Sequence, residues 1–224
     1  MREPELLLAI DTCGPVGSVA LGQLVGGAVS LLGQTELEGR SYSSTLVAAV
    51  GDLLSQSGVQ LSQLAAIVAV SGPGSFTGVR VGLSAVKGLA EPAQIPVIAI
   101  SRLEVLSAKS GVPSVALDAH RHEVYLRVSQ SSKELLAGGE ELAAINPTPS
   151  RIALCDDAAA ELLAASWPNV VQIRVGPPTA ADALAACAAR FALGDFIDLA
   201  LLDGNYLRRS DAEIFGATIT SQTA

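Results

Sequence analysis

Three short stretches of this chain hold residue types that could do chemistry. The first is Asp11, which closes the apolar run from Leu6 and is followed by Thr12, Cys13, Gly14 and, after a turn, Ser18. A strand, an acid and a hairpin in that order can hold a metal ion and a phosphate through the carboxylate and the turn amides. The same acid can equally cap the turn through its own backbone. The second stretch is SGPGSFTG, residues 71 to 78, set between the β-branched run Ile67 to Val70 and a helical pattern. Amides at a helix start favour an anion, but Gly72, Gly74 and Gly78 read G-x-G-x-x-x-G, longer than the dinucleotide fingerprint, and no G-K-[ST] follows. A tight turn that glycine permits and a contact surface with Phe76 at the loop tip compete with anion binding. The third is Asp118, His120 and His122, which an extended chain would bring to one face. That is possible metal geometry, weighed against a solvated, polar strand start. No G-x-S-x-G elbow is present, so nucleophilic catalysis has little support.

The elements that must carry these residues follow from periodicity. Leu6 to Asp11 reads as a buried strand, and Ser18 to Leu21 and Val25 to Leu32 as short strands parted by Gly22 and by Gly26 and Gly27. Ser41 to Ser57 carries Leu46, Val50, Leu53 and Leu54 at helical spacing, with Gly58 as its stop. The strand Ile67 to Val70, a helix after the glycine block, and Ile95 to Ile100 complete a β-β-β-α-β-α-β order, which implies a mixed sheet covered by helices. In the second helix Gly78, Gly82 and Ala85 form a stripe almost without side chains, where another backbone can approach closely.

A second lobe is expected from about Ser101. Val112 to Ala119 and Glu123 to Val128 read as strands, and Ser129 to Gly139 as a loop or linker. Ile152 to Cys155 and Val170 to Val175 read as strands, Asp157 to Ser166 as a helix, and Thr179 to Leu193 as a helix capped by Thr179 and stopped by Gly194. The expected division is 1–103, 104–202 and an irregular tail, 203–224.

Composition narrows the function classes. The chain has 224 residues, enough for one large domain or two lobes. Hydrophobic residues are 50% and charged ones 16%, below the usual ~25%, so some apolar surface is expected to meet a partner. No apolar run approaches the ~18 residues of a membrane span, and no cleavable signal pattern opens the chain. Cys13, Cys155 and Cys187 lie far apart without C-x-x-C spacing, which fits a reducing cytoplasm. A formal net charge of -8 opposes direct nucleic-acid binding.

Taken together, LLAIDT at 7 to 12, SVAL at 18 to 21, SGPGSFTGVRVGLSAVKGLA at 71 to 90, DAHRHEVY at 118 to 125 and GNYLR at 204 to 208 closely resemble the TsaB (YeaZ) family, paralogues of the TsaD (Gcp-like, glycoprotease-like) proteins. The resemblance implies an α/β, two-lobed, actin-like or Hsp70-like (ASKHA) fold with mixed sheets flanked by helices. It implies a role in N6-threonylcarbamoyladenosine modification of tRNAs that read codons beginning with A. In that family TsaD is the transferase; TsaB is a non-catalytic subunit that dimerises with it and supports it, joined by the ATPase TsaE. On this basis no catalytic residue and no cofactor is expected on this chain, with ATP and a divalent metal belonging to the partner complex. A homodimer is expected when the chain is alone, and tRNA is reached only through the complex. The expected interface is Gly74, Phe76, Thr77, Val79, Arg80, Gly82, Leu83 and Val86 with Tyr42 and Leu46, and the expected vestigial nucleotide loop is Asp11, Thr12, Gly14 and Ser18. The chain departs from the family in two places. RSYSS has Tyr42 where members commonly carry a His, and His120 and His122 appear where the family's usual form is Asp-Ala-Arg followed by a basic residue and Gly. A free-standing enzyme, either a weak nucleotide hydrolase or a metallopeptidase, is the competing reading, although an H-x-x-x-H or H-E-x-x-H pair is absent.

Overall fold

A computed structural model describes residues 4–38, 42–129 and 131–208. Strands β1 (Glu5–Asp11), β2 (Val16–Val25) and β3 (Ala28–Glu38) form an antiparallel meander, and β4 (Leu64–Val70) and β5 (Val97–Ile100) add in parallel, in the order β3-β2-β1-β4-β5. Helix α1 (Tyr42–Gln56) precedes β4, and α2 (Phe76–Ala93) links β4 to β5. This is the expected element order. The meander strands, however, are longer than their glycines suggested. Gly26 and Gly27, at φ 62° and 87°, make the two-residue turn, whereas Gly22 lies inside β2 at a register shift. A Cβ on Gly22 would stand 3.1 Å from Leu184 Cδ1, so this glycine admits a helix rather than ending a strand.

The second sheet holds β6 (Val115–Asp118), β7 (Val124–Val128), β8 (Ser131–Ala137), β9 (Arg151–Leu154) and β10 (Val171–Arg174), ordered β10-β9-β6-β7-β8. Around it lie α3 (Arg102–Ser110), α4 (Gly139–Ala144) and α5 (Asp157–Ser166). The stretch expected as a linker is therefore mostly strand. β8 pairs antiparallel with β7, Leu135 opposite Leu126 and Leu136 opposite Tyr125. Its apolar residues cluster at one end, which hid the alternation.

Helix α6 (Ala180–Ala192) corrects the expected division. It falls in the span assigned to the second lobe but packs on the first sheet, with Leu184 and Cys187 fully buried in the first core. Thr179 caps it by accepting from Asp182 N at 3.3 Å, Ser18 Oγ accepts from Ala180 N at 2.8 Å, and Gly194 stops it at φ 67°. Gly33 faces Leu53 of α1 while Gly22 faces Leu184 of α6. Because Gly33 stands opposite Leu21, the neighbour of Gly22, α1 and α6 cover opposite faces of the sheet. The tail then crosses back: Asn205 N donates to Ser71 O at 2.7 Å. Residues 209–224 of the expected tail lie outside the described residues. Among the described residues no helix is long and apolar enough to cross a membrane.

Candidate functional site

The β1–β2 turn and the glycine block meet at the end of the first sheet. Asp11, only 1% exposed, accepts from Cys13 N at 2.8 Å and sits 3.4 Å from Arg102 Nε. Arg102 opens α3 behind the capping pair of Ser101 and Glu104, and its own N–H donates to Gly72 O at 2.6 Å. Its guanidinium lies against Gly14, where a Cβ would fall 2.3 Å from Nη2. Tyr42 Oη donates to Gly14 O at 2.8 Å, and Thr12 Oγ1 donates to Gly78 O at 2.7 Å. Asp11, Thr12, Gly14 and Ser18 thus all carry contacts within the chain that fix this corner. Burial, reinforced by the Asp11 carboxylate, pushes the Cys13 thiol well above its ordinary range and the Tyr42 phenol up to about 12, so both stay neutral. Arg102 was not marked by the sequence, because a buried arginine breaks no periodicity.

The small-residue stripe of α2 faces this corner. A Cβ on Gly74 would lie 2.2 Å from Cys13 O, one on Gly78 2.1 Å from Thr12 O, and one on Gly82 2.2 Å from Thr12 Oγ1. The close approach inferred from the stripe is real, but the approaching backbone is the chain's own. Of the residues expected at an interface, Val79, Leu83, Val86 and Leu46 are core side chains; Phe76, Thr77 and Arg80 remain exposed. The surface that α1 and α2 do present is a groove of about 420 Å³ between them. Tyr42 and Leu46 line it together with Val47, Arg80, Ser84 and Ala85. Val47 is 60% exposed, an apolar residue off the core-facing stripe. That offset was the signal available in the sequence.

Across a cleft of about 580 Å³ from the Asp11 corner stand Asp118, His120 and Asp156. The reading of Asp118, His120 and His122 as one face requires an extended chain, and the backbone is not extended there. His120, Arg121 and His122 all have positive φ, 60°, 58° and 59°. Asp118 accepts from His120 N at 2.8 Å, and its Oδ2 lies 2.9 Å from His120 Nδ1, closing a tight turn. Among the described residues no group of three or more His, Cys, Asp or Glu side chains could hold a metal ion.

The segment 203–208 ties the two halves together. Asn205 Nδ2 donates to Glu134 Oε2 at 2.5 Å, Ser101 Oγ also donates to Glu134, and Arg208 pairs with Glu123. Burial raises the Glu134 carboxyl above its ordinary value. Tyr206 packs on Phe76 with ring centroids 5.0 Å apart, and the Arg80 guanidinium covers Phe76 at 3.8 Å.

Residues 35–167 match the family model described as TsaD, tRNA N6-adenosine threonylcarbamoyltransferase. The chain is similar to the tRNA threonylcarbamoyladenosine biosynthesis protein TsaB of Escherichia coli, 37% identical over 62% of this chain and 61% of that protein, so the match spans about three fifths of the relative. The structure of YeaZ from Pseudomonas aeruginosa superposes with a TM-score of 0.72 at 28% identity, covering 91% of this chain and 100% of that one. Component A of (R)-2-hydroxyglutaryl-CoA dehydratase from Acidaminococcus fermentans superposes at 0.53 with 9% identity, covering 85% of this chain and 99% of that one, a likeness of fold alone.

Proposed function

Since the chain belongs to the TsaD (Gcp-like) family, on its TsaB (YeaZ) side and with its two-lobed actin-like fold, we propose that it is a non-catalytic subunit in the synthesis of N6-threonylcarbamoyladenosine on tRNA. It acts by docking a TsaD-like paralogue, which performs the transfer, and thereby supports that enzyme. The observation that carries this reading is the α1–α2 groove, apolar and small-sided, with Val47 exposed at its rim. Side chains of a helix from a related chain would cover Val47 there, and burying exposed apolar surface contributes about 25 cal/mol per Å². The corner that could have held a metal and phosphate supports the non-catalytic half of the reading, because Arg102 occupies the Asp11 carboxylate. ATP and a divalent metal then belong to the partner complex, which a TsaE-like ATPase joins in the cytoplasm. tRNA is reached only through the complex, and a second copy of this chain uses the same groove when no paralogue is present.

Size-exclusion chromatography with light scattering tests the docking. The chain mixed with the TsaD-family protein of its own organism should form a defined heterodimer, and Val47→Asp should abolish it while the circular dichroism of the variant stays unchanged. A heterodimer that survives Val47→Asp would place the contact elsewhere.

A further inference from the structure

The wall of the α1–α2 groove holds one charged side chain, Arg80, and no carboxylate. Arg80 is exposed, and among the described residues no acid pairs with it; its guanidinium instead lies 3.8 Å from the Phe76 ring centroid and 5.9 Å from that of Tyr206. The rings that carry it are themselves held. Phe76 opens α2 one turn before Arg80. Tyr206 stands 5.0 Å from it, centroid to centroid, and is backed by Gly204, where a Cβ would fall 2.5 Å from Tyr206 Cζ. On one side of Tyr206, Asn205 is anchored to Ser71 O and to Glu134; on the other, Arg208 pairs with Glu123. Among the described residues neither ring joins a hydrophobic core, so the stack does little for packing.

A guanidinium laid on a ring keeps its in-plane N–H donors, which form a fork matched to a carboxylate. A side chain ordered in advance also loses less freedom when a partner arrives. We infer that Phe76 and Tyr206 hold Arg80 in place for a carboxylate of the chain docked in the α1–α2 groove, and that Tyr206, which does not itself line the groove, is a positioning residue for that contact. The inference rests on the docking reading and gives the partner's chemistry: an Asp or Glu set among apolar side chains, accepting two N–H bonds from Arg80. The cation stands alone in the groove wall of a chain whose net charge is -8, so a partner's acid is attracted at this point and repelled by most of the remaining surface. That selects one register of docking.

Isothermal titration calorimetry of the full chain with the TsaD-family protein of its organism, at several salt concentrations, tests the contact. Arg80→Gln should weaken the heterodimer about ten- to hundredfold, the loss of a charge-assisted pair, and make Kd less sensitive to salt than in the wild type. Tyr206→Leu should weaken it about three- to fivefold, the loss of one exposed cation–π contact. Tyr206→Phe should bind as the wild type does, because the ring and not the hydroxyl holds Arg80. Gly204→Ala, which pushes the Tyr206 ring aside, should act like Tyr206→Leu. In an Arg80→Gln background, Tyr206→Leu should have no further effect. Wild-type Kd in Arg80→Gln or in Tyr206→Leu, equal salt sensitivity with and without Arg80, or a further loss from Tyr206→Leu after Arg80→Gln would overturn the inference. Light scattering on the same mixtures separates the two readings. Assembly with a Kd that Arg80→Gln leaves untouched defeats only the Arg80 contact, whereas a wild-type mixture that does not assemble defeats both.

Discussion

Replacing Gly82 by alanine separates a core-facing glycine from an interface glycine. An Ala in the middle of an exposed helix is worth about 1 kcal/mol over Gly, so Gly82→Ala on a free face would stabilise the chain. Here the new methyl would stand 2.2 Å from Thr12 Oγ1 but 3.5 Å from Thr12 Cβ, so the obstruction is a single hydroxyl. Overpacking of this kind costs about 1–3 kcal/mol, and swinging the hydroxyl away forfeits its bond to Gly78 O, about 1 kcal/mol. The net expectation is a loss of about 1–2 kcal/mol, a fall in Tm of about 2–8 °C for a chain of this size. In a Thr12→Ala background the obstruction is gone, and Gly82→Ala should become neutral or stabilising by up to about 1 kcal/mol. A double-mutant cycle by urea denaturation would therefore give a coupling of about 1–3 kcal/mol. Gly78→Ala is the control: its methyl would meet the backbone oxygen of Thr12 at 2.1 Å, which no change at Thr12 removes. Equal costs for Gly82→Ala in both backgrounds, or stabilisation in the wild type, would refute the inward placement of the stripe.

Other expectations follow from the same corner. Arg102→Ala leaves Asp11 buried without its ion-pair partner and should cost about 3–5 kcal/mol by denaturant titration; the Asp11→Leu, Arg102→Met pair should cost less than the single change. Alkaline pH should destabilise the chain. Tyr42 ionises at about 12 when folded against 10.0 ordinarily, and Cys155 and Cys187 at about 12 against 9.0. Between the two values the unfolded chain has released a proton that the folded chain retains, so stability is lost as pH rises from 9 toward 12, at most ~1.4 kcal/mol per pH unit for each group. Tyr42→Phe should flatten the part of that slope above pH 10, at the cost of the hydrogen bond to Gly14 O; an unchanged slope would show that the phenol is not held neutral.

Much of this architecture was legible in the residues. Regular spacing of Leu46, Val50, Leu53 and Leu54 marked α1, and Thr179 and Gly194 marked both ends of α6, because caps and stripes act locally. What was not legible depends on tertiary partners. Gly22 looked like a break because nothing in its neighbourhood announces Leu184, more than a hundred and fifty residues away. The stripe of Gly78 and Gly82 announced a close approach without saying to which backbone. Asp118, His120 and His122 were read with strand periodicity, and three successive positive φ values removed the period. Arg102 and Glu134 bind partners far along the chain, so no window of sequence could have joined them. The groove lies between α1 and α2, and only Val47, apolar yet out of phase with the core stripe, hinted at it.

The central claim is that this chain supports threonylcarbamoyl transfer by docking. It is tested most directly by reconstitution: the TsaD-family and TsaE-like proteins of the same organism, threonylcarbamoyl adenylate, ATP, a divalent metal and an unmodified tRNA transcript, with N6-threonylcarbamoyladenosine counted by mass spectrometry of digested tRNA. Modification should require wild-type chain, fall to background with Val47→Asp, and persist with Asp11→Asn at any chain concentration that keeps the variant folded. Full modification without this chain, or loss with folded Asp11→Asn while the heterodimer stays intact, would contradict the account.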